Sequence, residues 1–75
     1  MINDAVFDVL TNEEYQDLKS VYSLYHGEEL HINLKKFFNE PAIFFKVKSL
    51  NIDPMWVAHE IFINGYRYGL KTKNQ

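Results

Sequence analysis

The chain contains no cysteine. No disulfide can staple it, and it has neither a thiolate nucleophile nor a cysteine metal ligand. No apolar run is long enough to span a membrane, and the start, Met1-Ile2-Asn3-Asp4, lacks the basic residues that open a signal peptide. There is no internal repeat, no low-complexity segment and no domain linker. These absences predict one soluble, cytoplasmic domain without membrane contact.

At 75 residues the chain buries only a modest share of its surface and is marginal alone. Without disulfides, the remaining sources of stability are dense aromatic packing and self-association. Aromatics are plentiful: six Phe, five Tyr and one Trp. The frequent Asn, Lys, Ile, Phe and Tyr suggest an AT-rich coding sequence, and small size with that composition suggests a phage or mobile element. Net charge is −2, unevenly spread. Residues 1–29 sum to −6 and residues 30–75 to +4. Such asymmetry marks a basic binding face, two halves that attract each other, or simply two solvated faces.

The last third is the organising stretch and predicts a helix from Pro54 to about Leu70. Asp53 is a good N-cap, Pro54 suits the first helical position, and Lys71 and Lys73 suit the carbonyl end. At 100° per residue, Ala58, Phe62, Gly65 and Gly69 form one stripe, and Trp56, Ile63 and Leu70 a second. A helix apolar over more than half its circumference is expected to be central, with neighbours on two sides. Gly65 and Gly69 would open a groove for another backbone; alternatively, Gly65 ends the helix as a left-handed cap.

Upstream, Ile2, Ala5, Val6, Val9 and Leu10 have helical spacing. Thr11-Asn12-Glu13-Glu14 is a capping box, opening a helix with Tyr15, Leu18, Val21, Tyr22 and Tyr25 on its apolar stripe. Gly27 is expected to stop it. Residues 28–52 fit two periods. As helix, Leu30, Leu34, Phe37 and Phe38 recur on one side, as do Ile43, Phe44, Val47 and Leu50. As strand, residues 30–36 and 43–48 alternate around a turn at Asn39-Glu40-Pro41-Ala42. A lone two-stranded hairpin is weak, so the prediction is all-α: four or five short helices around a central C-terminal helix. The alternative is α+β with a hairpin at 30–48.

No residue set supports catalysis. Ser20, Ser23 and Ser49 lack an activating motif. His26 and His31 are five apart, off the i, i+4 spacing that aims two ligands at one metal. His59 suits a packed, hydrogen-bonded role. The expectation is therefore a non-enzymatic protein without cofactor, metal or small-molecule substrate.

Val47-Lys48-Ser49-Leu50-Asn51-Ile52-Asp53-Pro54-Met55-Trp56-Val57-Ala58-His59 partly resembles a helix-turn-helix of the phage-repressor type. That resemblance implies a buried set of Val47, Leu50, Ile52 and Val57, with Asn51 at the turn position usually held by glycine. It implies phosphate contacts from Lys46, Lys48, Arg67 and Lys71. Two residues depart from the pattern: Lys46 and Glu60 stand where that family packs apolar side chains. The recognition helix would also begin with Asp53, Pro54, Met55 and Trp56, none of them a base-reading Arg, Lys, Asn or Gln.

Trp, Tyr, Met, Phe and Arg are the types enriched at the centres of protein interfaces. The favoured expectation is a protein-binding module, a small regulator or inhibitor of a larger protein that also forms a homodimer. Its surface would comprise Met55, Trp56, His59, Ile63, Tyr66, Arg67 and Leu70. The alternative is a degenerate helix-turn-helix DNA-binding regulator.

Overall fold

A computed structural model describes residues 5–64. They form five helices and no strand: α1 (Ala5–Asp8), α2 (Asn12–Leu24), α3 (Gly27–Phe38), α4 (Pro41–Lys48) and α5 (Pro54–Ile63). The all-α class holds. The hairpin alternative fails, because residues 30–36 lie within α3 and 43–48 within α4. The reason is visible in burial. A strand would put Leu30, Ile32 and Leu34 on one face, yet Leu34 is enclosed while Ile32 is exposed. Leu34, Phe37 and Phe38 turn inward together, as helical spacing requires.

Three of the five helix starts follow from local chemistry. At α2 the capping box is complete: the Glu14 N–H donates to Thr11 Oγ1 at 3.2 Å, and the Thr11 N–H donates to Glu14 Oε1 at 2.8 Å. Pro41 opens α4, where no backbone donor is needed. At α5 the Met55 N–H donates to Asp53 Oδ1 at 3.0 Å, ahead of Pro54.

Two boundaries differ from the sequence expectation. Helix α2 closes at Leu24, with Tyr25 extended and its N–H still donating to the Val21 carbonyl. Gly27 instead opens α3, at φ +57°. Helix α5 closes at Ile63 rather than Leu70. Asn64 there leaves helical geometry, while its N–H donates to the Glu60 carbonyl at 2.8 Å and its side-chain amide to the same oxygen at 3.3 Å. The grooved stripe expected at Gly65 and Gly69 lies outside the described residues.

The core is Val6, Leu18, Leu34, Phe38, Val47, Val57 and Ile61, all fully enclosed, with Phe7, Phe37, Ile43 and Ala58 beside them. Burying each large side chain stabilises the fold by about 1.5–3 kcal/mol. Helix α3 touches α2, α4 and α5, and its most extensive partner is α5. The centre is therefore an α3–α5 pair. A cross-link from α2 fixes it: the Tyr22 hydroxyl donates to the Ile61 carbonyl at 3.0 Å, in the last turn of α5.

Candidate protein-docking face

Helix α5 buries Pro54, Val57, Ala58 and Ile61. The opposite arc carries Met55, Trp56, His59 and Ile63, all exposed. Met55 and Trp56 are 38% and 40% exposed, and Ile63 is 58% exposed. No charged side chain stands among them. Glu60 borders the arc, half-buried, and accepts from the Asn64 side-chain amide at 3.2 Å. Four of the seven residues predicted to form the binding surface thus share one outward face. Tyr66, Arg67 and Leu70 lie outside the described residues.

Helix α3 runs antiparallel beside this face. The His31 ring meets His59 edge-on at 6.0 Å and Phe62 at 4.9 Å. At the other end the Asn39 side-chain amide reaches Met55 Sδ at 3.4 Å. His59 is exposed rather than packed in the core. His31 Nδ1 is buried and has no hydrogen-bond partner. Among the described residues no group of three His, Cys, Asp or Glu is arranged to hold a metal.

Helix α3 widens the face with Ile32, 46% exposed, and with Lys35, Lys36 and Asn39 around a hollow that Glu40 closes. Sequence reasoning missed this contribution. Its signal was Ile32, the one large aliphatic of α3 that falls off the stripe of Leu30, Leu34, Phe37 and Phe38. Leu24 and Phe45 are also exposed, on α2 and α4; isolated surface apolar residues are ordinary.

The segment between α4 and α5 has several features of the repressor-type turn. Asn51 is left-handed, φ 61°, as its place in that motif demands. Val47 and Val57 are buried, and Leu50 and Ile52 are half-buried. Lys46, out of pattern in the motif, has a structural role: its Nζ lies 2.6 Å from Glu14 Oε1. Lys48 sits 5.4 Å over the Phe44 ring. The exposed arc of α5 itself offers no Arg, Lys, Asn or Gln to a base edge.

The chain matches no protein-family model, and no curated protein or solved structure matches it significantly.

Proposed function

We propose that this chain is a non-enzymatic protein-binding module that acts as a small regulator or inhibitor of a larger protein, and that it derives from a phage or mobile element. The observation that carries the binding role is the uncharged outer arc of α5, with Met55, Trp56 and Ile63 exposed side by side around His59. Large apolar side chains clustered on one outward helical face favour a protein contact, because covering them removes apolar area from water while desolvating no charge. Trp is also among the residues that dominate binding energies at interface centres.

The left-handed turn at Asn51 supports a second role, a degenerate helix-turn-helix regulator bound to DNA. Against it stands the chemistry of the helix that would enter the groove, whose outward arc is apolar and carries no cation.

One experiment separates the two. The immobilised chain and its Trp56→Glu and Lys48→Glu variants are challenged with host lysate and with duplex DNA. The protein-binding role predicts a captured protein that Trp56→Glu loses and Lys48→Glu retains. It also predicts only weak, salt-sensitive, sequence-independent DNA retention. Sequence-selective DNA binding at physiological salt, lost in Lys48→Glu, would establish the DNA role instead.

A further inference from the structure

The exposed residues of α3 and α5 have an internal symmetry. Helix α3 begins with Glu28 and Glu29 and ends with Lys35 and Lys36. The midpoint of both outer and inner pairs is residue 32, the exposed Ile32. On α5 two of the three large exposed apolar side chains, Trp56 and Ile63, are seven residues apart, about two turns or ~10 Å, with Met55 beside Trp56. The midpoint of Trp56 and Ile63 falls between His59 and Glu60. The two midpoints lie side by side in space, because His31, next to Ile32, meets His59 at 6.0 Å. The face therefore has one centre, with acid at one end of its α3 edge and base at the other.

Among the described residues none of these four charges forms an ion pair. Lys35 has no glutamate three or four residues to either side, whereas Lys36 has Glu40 one turn on and lines a second hollow with Glu14 and Asp17 of α2. Glu40 also shares the hollow that both lysines line.

We propose that this face binds a second copy of the chain about a two-fold axis passing between Ile32 and His59. A two-fold interface brings the same patch of each copy together. With the paired helices antiparallel, Trp56 of each copy meets Ile63 of the other. The lysine end of each α3 then faces the glutamate end of the other. Apolar contact supplies the attraction, and the charge pairs fix the register and orientation. Few residues take part, so the interface lies near the lower bound of specific ones, about 1,200 Å² in total, and the dimer is reversible. This deepens the docking role assigned to α5: the second copy covers the face that a partner protein uses, so a partner must displace it.

Sedimentation equilibrium over a range of concentrations tests the proposal, with circular dichroism confirming that each variant is folded. The wild-type chain is expected to shift from monomer to dimer as concentration rises, and Ile63→Glu to stay monomeric. Two charge variants test the register. Lys35→Glu/Lys36→Glu makes the edge wholly acidic, and Glu28→Lys/Glu29→Lys makes it wholly basic. Each alone should dimerise about tenfold more weakly than wild type, and an equimolar mixture should form the heterodimer in preference to either homodimer. A wild-type chain that stays monomeric throughout, or a mixture with no preference for the heterodimer, overturns the proposal. A monomeric wild type whose partner capture is still lost in Trp56→Glu removes the dimer and leaves the docking role standing.

Discussion

One oxygen of Glu14 serves two helices. Oε1 accepts the Thr11 N–H at 2.8 Å, completing the cap of α2, and receives Lys46 Nζ from α4 at 2.6 Å. The side chains are only 18% and 31% exposed, respectively, so the pair is partly shielded from water. The Lys46 hydrogen bond, then the Thr11 N–H, holds the Glu14 carboxyl below its ordinary value of 4.5, against the opposing effect of burial. A carboxyl with a lowered folded pKa adds stability that is present above its unfolded value and is lost as pH falls through the folded one. Urea unfolding of Lys46→Met at neutral pH should show a loss of about 0.5–1 kcal/mol. The difference from wild type should shrink as pH drops below about 4.5. Glu14→Ala, which also removes the acceptor of the Thr11 N–H but leaves the Thr11 side-chain cap, should cost about 1–2 kcal/mol. Equal stability of the variants and wild type at pH 7 would show that the pair and cap contribute nothing.

Tyr22 should govern the alkaline limit of the fold. Its hydroxyl donates to the Ile61 carbonyl, and burial pushes its ionisation well above the ordinary 10.0. A group whose folded pKa is raised contributes stability that is full below the unfolded value and fades as pH rises beyond it. Tyr22→Phe is expected to cost about 1 kcal/mol at pH 7. Above pH 10, wild type should lose stability faster than the variant. Parallel unfolding curves for the two proteins through that range would contradict this.

Backbone geometry makes the same left-handed demand at two junctions, Asn51 and Gly27. Asn51 is left-handed without being glycine, so Asn51→Gly should be neutral or mildly stabilising, and Asn51→Val should cost about 1–2 kcal/mol. At Gly27 an added Cβ would meet nothing within 4 Å, so Gly27→Ala should cost about 1 kcal/mol through conformation alone. Thermal melts of the three variants distinguish these effects from loss of packing. A stabilised Asn51→Val would mean that the turn can take another geometry.

What could be read in advance was the chemistry that acts over three or four residues. The Thr11–Glu14 box and the Asp53–Pro54 start need only their own neighbours, and both formed as expected. The left-handed Asn51 was legible because the motif it completes is also local. Gly27 was not, since a glycine between two helices can close the first or open the second; here the Tyr25 N–H already closes α2 through the Val21 carbonyl. The outward direction of Met55, Trp56, His59 and Ile63 depended on which side of α5 would meet α3. That was settled by the enclosure of Val57, Ala58 and Ile61, a non-local outcome. The same dependence hid Ile32 and the charged α3 edge, which matter only because α3 lies beside α5.

If the outer face of α5 is the surface this chain uses to engage protein, binding must shield its backbone. Amide hydrogen exchange of the chain, free and in complex with the protein it captures, tests this most directly. Dilute conditions keep the free chain monomeric. Added protection should concentrate in α5 from Met55 to Ile63 and in the adjoining part of α3 around Ile32. Little change is expected in α2. Protection confined to α1 and α2, with α5 exchanging as in the free chain, would contradict that use of the face.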